Sequence, residues 1–472
     1  MGKYRRLGKN TLLMFLGNIG SKSISFLMLP FYTSFLSVAD YGTVDLIQVY
    51  VQLLVGLCTC TLTEAIFVFP KGQTFAMQQT YFTSGLLFSA GALALPGVLF
   101  AVVVFVLRTI SYEGIFTEYN LCIFLMLCAT FFQSYTQQFA RSIERVNVYV
   151  VSGVVLTLTI VLTSLVTLPL WGLHGYIYSI IVSYFAAALY SVAAAREHTY
   201  FSFARLSWPK LREMLRYSIP MMPNGIMWWV SSTMNRPILE HYSGIEAIGI
   251  FAVANKFPLL ISMLYTVFTY SWQISVLEEF GKPGYREFYN KVFRVQFLVF
   301  VLFVLGITFL SRPLIGLMTT TDYHEAWQYV PVLSLSVVFS NLAGFAGTNF
   351  AATKESHHYF TTSFWGGLLC LALNFLLIPR WGLWGATSAI LASYVLTFLL
   401  RAKVTWKYSP IARWGLYLRV LSLVCLYILV YEVIPCLWLN ALLLLCVLGA
   451  VALLNRDCWG DLTHLCKLLK RK

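Results

Sequence analysis

Little in this sequence would keep a globular protein in water. Only 11% of its 472 residues are charged, 59% are hydrophobic, and the mean hydropathy is +0.74, outside the range of soluble domains. Acidic side chains are the scarcer kind, 19 Asp and Glu against 33 Lys and Arg. Also missing are an H-E-x-x-H pair, a paired-cysteine metal site, a G-x-S-x-G nucleophile elbow and any connection long enough for an extramembrane catalytic domain. "GNIGSKS" at 17–23 lacks the spacing of a phosphate-binding loop and follows no strand. The ten cysteines fall mostly in apolar runs, where a thiol acts as a small hydrophobe. These absences leave a chain with no enzyme chemistry and no expected cofactor or metal.

What is present is a succession of apolar runs, each near the ~20 residues a helix needs to cross ~30 Å of hydrocarbon. Short alternating strands of an outer-membrane barrel do not occur. The fold expected is an all-α polytopic membrane protein with about fourteen spans, at 10–36, 42–69, 82–107, 117–140, 149–168, 172–195, 217–241, 246–275, 292–311, 328–351, 358–378, 382–401, 416–435 and 437–455. The basic excess is an orientation signal. Apart from Arg108, Arg312 and Arg380 on one face and Lys22, Arg236 and Lys256 within spans, the Lys and Arg residues gather on the opposite face with both termini. The positive-inside rule then puts both termini in the cytoplasm, and nucleic acid is not an expected partner. The first span is too long for a signal peptide and is expected to be retained.

Two stretches 210 residues apart repeat each other. "LPLWGLHGYIYSIIVSY" (168–184) and "IPRWGLWGATSAILASY" (378–394) share Pro169/Pro379, Trp171/Trp381, Gly172/Gly382, Gly175/Gly385 and Tyr184/Tyr394, and Pro30/Pro237 and Gly42/Gly249 match at a similar offset. The chain therefore reads as a six-helix bundle over 1–195, an amphipathic cytoplasmic linker over 196–216 and a second six-helix bundle over 217–401, related by a pseudo-two-fold axis along the membrane normal. Two further helices and a basic tail fill 402–472. Transporters that rock two bundles are built on such repeats. The W-G-L-x-G segment itself needs only a structural explanation, a tight turn with an interfacial Trp.

Charges within spans carry the functional expectation, since each costs about 3 kcal/mol on insertion scales. Lys22 and Lys256 fall near mid-bilayer, Glu64 toward the inner end of the second span and Arg236 in the outer part of the seventh. Helical side chains lean toward their own N-terminus, which for Arg236 points into the membrane and disfavours snorkelling. Gly225, Trp229, Ser232 and Arg236 share one face of a helix, as do Asn18, Lys22 and Ser25. These polar stripes suggest a wetted cavity. Arg236 either lines that cavity, the preferred reading, or forms a structural ion pair with Glu64. Three cations against one carboxylate favour an anionic cargo, and Arg with Lys suits a diphosphate. Glu64 is also the candidate for proton coupling. The Trp, Tyr and Phe residues could stack on sugars, but packing explains each of them as well.

With these features, "FLMLPFYTSFLSVADYGTVDLIQ" (26–48) and "NRPILEHYSGIEAIGIFAVANKF" (235–257) make the chain resemble the Wzx-type polysaccharide flippases of the multidrug/oligosaccharidyl-lipid/polysaccharide exporter superfamily. The motifs are the D-Y-G turn at Asp40, Tyr41 and Gly42, its counterpart Ile248-Gly249, and A-x-K at Ala254 to Lys256. The resemblance implies alternating access in a bacterial or archaeal cytoplasmic membrane. It also implies undecaprenyl-diphosphate-linked oligosaccharide as cargo, with membrane lipids and a polysaccharide polymerase or other assembly proteins as partners. Lys22, Arg236 and Lys256 would be its cavity cations. The rival within the superfamily is a cation-coupled drug exporter, for which acidic cavity residues would be expected.

Overall fold

The computed structural model describes residues 20, 23–109, 114–353, 355 and 357–456. Among these the chain is helical throughout, with no strand. Among the described residues seven helices are long and apolar enough to cross a membrane, or eight if a broken pair, Ile245–Lys256 and Leu259–Thr266 bent by 40°, makes one span. The protein is an all-α, multi-pass membrane protein. Packing divides it into two compact units, Met1–Ala252 and Val253–Lys472.

The first unit opens with α1 (Leu29–Phe35) and α2 (Val38–Cys58). Asp40 belongs to a capping box at the start of α2. The Asp40 N–H donates to Ser37 Oγ at 3.1 Å and the Ser37 N–H donates back to the Asp40 carboxylate at 3.1 Å, so its role in D-Y-G is local. The expected second span is interrupted after Cys58. Cys60 and Thr61 take positive φ angles of 53° and 50°, and a short helix α3 (Leu62–Val68) follows the break.

Next come α4 (Phe75–Thr109), α5 (Asn120–Ser142) and the 49-residue α6 (Val146–Ala194). At 1.5 Å per residue α6 would be about 74 Å long if straight, more than twice the hydrocarbon thickness. It is a hairpin instead, turning at Gly172 (φ 52°, ψ −130°), a conformation open to glycine alone. The limbs are antiparallel: Ser164 Oγ meets Ser179 Oγ at 2.9 Å and Ser152 Oγ donates to the Ala187 carbonyl at 3.0 Å. Gly175 lies so close to the Thr167 carbonyl that no Cβ fits.

The segment after this hairpin is strapped to the first unit by its backbone. Thr83 Oγ1 donates to the Tyr200 carbonyl, the Ser202 N–H donates to Thr83 Oγ1 and the Ser207 N–H donates to Ser84 Oγ. Helix α7 (Trp208–Ser218) buries Leu211, Met214 and Ser218 and exposes Arg212, Glu213 and Arg216, an amphipathic pattern. Glu197, at the start of this segment, is fully buried, and neither carboxyl oxygen has a hydrogen-bond partner among the described residues. Burial pushes its carboxyl up to about 9, although the Arg145 guanidinium pulls the other way.

The unit ends with α8 (Met222–Thr233), α9 (Asn235–Ser243) and most of α10 (Ile245–Lys256). The expected seventh span is thus two helices parted at Met234. Pro237 has no N–H to return to the Thr233 carbonyl, which ends α8 there. Pro30 stands at the matching place in α1, just after the turn at Met28. Gly42 and Gly249, paired in the sequence repeat, meet in space: a Cβ on Gly42 would lie 2.9 Å from the Gly249 nitrogen, and one on Gly249 would run into the Val38 carbonyl. Only glycine at both places lets α2 and α10 cross so closely.

The second unit contains α11 (Leu259–Glu279), α12 (Tyr285–Met318), α13 (Val330–Thr353) and α14 (His357–Thr405). α15 (Trp414–Val433) and α16 (Leu437–Leu454) complete it. α14 repeats the hairpin of α6: it turns at Gly382 (φ 50°, ψ −125°), and Ser393 Oγ donates across the limbs to the Gly366 carbonyl at 2.7 Å. Trp272, Phe345 and Phe268 stack at its centre, with Trp272 and Phe345 centroids 4.3 Å apart. Arg312 is consumed structurally, donating to the Ile434, Tyr431 and Glu432 carbonyls at the end of α15.

Candidate functional site

The polar stripe of the seventh expected span finds its counterpart on α2. Arg236, 6% exposed in an apolar unit, donates through Nε to the Asp45 carboxylate at 2.8 Å. Its Nη1 reaches back to the Ser232 carbonyl at 2.9 Å, the direction that helix geometry dictates. The guanidinium also lies 4.8 Å from the Phe251 ring centroid. One turn further along, Trp229 Nε1 donates to the Val49 carbonyl at 3.1 Å. Asp45, Val49 and Gln52 on α2 thus face Arg236, Trp229 and Gly225 on α8 and α9.

This seam leads into a cavity of about 300 Å³ within the first unit, whose lining includes Gln52, Thr63, Glu64, Gly225, Trp228 and Trp229. Glu64 is exposed on its wall and sits in the first turn of α3, where the helix dipole favours a carboxylate. Gly225 and Trp229 reach the cavity; Ser232 and Arg236 carry the stripe onward to Asp45. Ser232 is half-buried, and its hydroxyl donates to the Trp228 carbonyl.

The ion pair formed by Arg236 is with Asp45, not Glu64. Sequence reasoning missed Asp45, because a lone aspartate a few residues into a span reads as interfacial. The available signal was its depth: Asp45 lies near the outer end of the second expected span, the level of Arg236 in the seventh. With Asp45 counted, the Arg236 charge is compensated and the cationic excess rests on the lysines. Lys256 ends α10 at the bend before α11, half-buried and in the second unit. Lys22 and Asn18 lie outside the described residues, and Ser25 is exposed. No group of three or more His, Cys, Asp or Glu side chains able to hold a metal ion occurs among the described residues.

Residues 7–272 match the family described as Polysaccharide biosynthesis protein. The capsular polysaccharide biosynthesis protein CapF of Staphylococcus aureus is 24% identical over 196 residues, 39% of this chain and 47% of that protein; the match spans about half the relative's length. Among solved structures, the lipid II flippase MurJ in an inward closed conformation superposes with a TM-score of 0.71 at 13% identity, covering 94% of this chain and 99% of that one. An inward-facing MATE multidrug resistance transporter of the MOP superfamily gives 0.66 at 11% identity, covering 82% and 95%. At such identities the likeness is one of fold.

Proposed function

The chain belongs to the polysaccharide biosynthesis protein family, and from that premise we propose that it is a flippase for lipid-linked oligosaccharide. The cargo is undecaprenyl-diphosphate-linked oligosaccharide, moved from the cytoplasmic to the outer leaflet by alternating access for cell-surface polysaccharide assembly. Its fourteen spans form two six-helix bundles, 1–195 and 217–401, joined by the cytoplasmic linker 196–216 and followed by the two helices of 402–472. Both termini are cytoplasmic.

Lys22, Arg236 and Lys256 are the cations that receive the diphosphate, with Asn18, Ser25 and Ser232 as polar lining. The observation that carries this reading is the buried guanidinium of Arg236 at the head of a polar seam running into a cavity. A buried cation in an apolar unit is costly to keep unless it serves a polar ligand. Asp45 neutralises Arg236 in this conformation, and an arriving diphosphate, which accepts bidentate bonds as a carboxylate does, competes for the same guanidinium. Glu64 on the cavity wall is the coupling carboxylate.

Replacing Arg236 or Lys256 by Ala is expected to abolish export at normal protein levels. Wild-type transport in both variants would sink the assignment. A Glu64→Gln variant that transports normally across a pH range would remove proton coupling at that residue. One observation favours the cation-coupled drug exporter as a second reading: the seam and its cavity hold two carboxylates, Asp45 and Glu64, rather than one. That reading predicts sensitivity to cationic drugs on loss of the protein.

A further inference from the structure

An apolar pocket in the second unit lies between α11 and α12. It has a volume of about 380 Å³, and its lining includes Leu264, Tyr265, Phe268, Lys291, Gln296 and Phe300. The Tyr265 ring on its wall lies against the Cβ-less Gly344 of α13. Two features set it apart from a packing gap. Gln296 is only 6% exposed, and neither its amide nitrogen nor its amide oxygen has a hydrogen-bond partner among the described residues. An unpaired buried amide costs about 1 to 3 kcal/mol, a cost that an occupant with a hydrogen-bonding group offsets. Lys291 lines the same pocket and is exposed at its mouth, five residues and ~7.5 Å along α12 from Gln296.

We propose that this groove is a binding site for an ester-linked glycerophospholipid, separate from the transport cavity. An anionic phosphate sits at Lys291, an ester carbonyl accepts from the Gln296 amide, and one acyl chain fills the apolar trough beside Phe268 and Phe300. The volume, at the lower end of ligand pockets, suits a single chain and excludes an oligosaccharide. A polyprenyl chain offers Gln296 no acceptor at that depth, which is why a diacyl lipid fits the groove better than the tail of a polyprenyl carrier. The lysine sets the preference for anionic headgroups.

The test is native mass spectrometry of the delipidated full-length protein. It is titrated with diacyl phosphatidylglycerol, with its dialkyl ether analogue lacking the carbonyls, and with undecaprenyl phosphate. Wild-type protein is expected to hold the diacyl lipid about tenfold more tightly than the ether. Gln296→Leu, which removes an unpaired polar group and leaves the fold intact, is expected to abolish that difference. Val295 also lines the groove, and Val295→Trp, which fills it, should weaken both. Equal binding of ester and ether lipids to the wild type, unchanged binding in Val295→Trp, or preferential retention of undecaprenyl phosphate would overturn the proposal.

Discussion

Changing Asp45 to Asn keeps the shape of the Arg236 site and removes only its negative charge. At the observed 2.8 Å and an effective dielectric of about 20, the Coulomb attraction is about 6 kcal/mol. Burial takes several kcal/mol of hydration from each ion, so the intact pair contributes little net stability. Removing one partner leaves the other's desolvation uncompensated. Asp45→Asn, with Arg236 left to the Ser232 carbonyl and the Phe251 ring, is therefore expected to lose about 3 to 5 kcal/mol. Arg236→Met should lose a similar amount, and the double variant less than the sum by up to about 3 kcal/mol. Unfolding of the purified protein in mixed micelles, followed by tryptophan fluorescence, measures the cycle. Additivity within about 0.5 kcal/mol would refute the ion-pair reasoning. The same set separates structure from function: compared at equal amounts of folded protein, the double variant is expected still to fail in export because no guanidinium remains for the diphosphate. Normal export by that variant would make the pair purely structural.

Glu197 supplies a pH dependence of defined sign. Its folded value of about 9 stands above 4.5 in the open chain, so between these values the folded protein holds a proton that the unfolded chain releases. Stability contributed by this group is therefore fully present below pH 4.5 and falls as pH rises toward 9, by about 4 kcal/mol at pH 7.5, three units above 4.5. Glu197→Gln is expected to flatten the pH profile of the melting temperature and to raise it at pH 7.5; an unchanged slope would contradict the assignment. Gly249→Ala drives a methyl group into the Val38 carbonyl and is expected to destabilise by about 1 to 3 kcal/mol, read as a lower yield of folded protein; wild-type yield would show that α2 and α10 can separate at no cost. Gly382→Ala forces a side chain into a glycine-only conformation, costing about 1 to 3 kcal/mol, and Gly172→Ala should behave alike because the two hairpins turn identically; unequal melting temperatures would argue against that equivalence.

The membrane class was legible because apolarity over twenty residues has one physical use. The paired W-G-L-x-G segments were legible for a similar reason: a Pro and two glycines at fixed spacing mark a turn, and the backbone reverses at Gly172 and Gly382. The fourteen expected spans do not correspond one to one with described helices. The fifth and sixth share α6, the eleventh and twelfth share α14, the seventh is parted at Met234, and the second is broken by the left-handed Cys60 and Thr61. Nothing in "CTCT" at 58–61 announces that break, since neither Cys60 nor Thr61 is a glycine. The division of the molecule also falls at Ala252 rather than in the linker, because α7 to α9 are held to the first unit by contacts distant in sequence, such as Trp229 with Val49. Asp45 was hidden in the same way: its partner lies 191 residues away, and no local pattern reveals such a distance.

The most direct test of the central claim is mass spectrometry of the polyprenyl lipids in cells depleted of this protein, with drug sensitivity measured alongside. The flippase account predicts accumulation of an oligosaccharide-diphosphate lipid on the cytoplasmic side, without new drug sensitivity. Normal lipid pools together with new sensitivity to cationic drugs would contradict it.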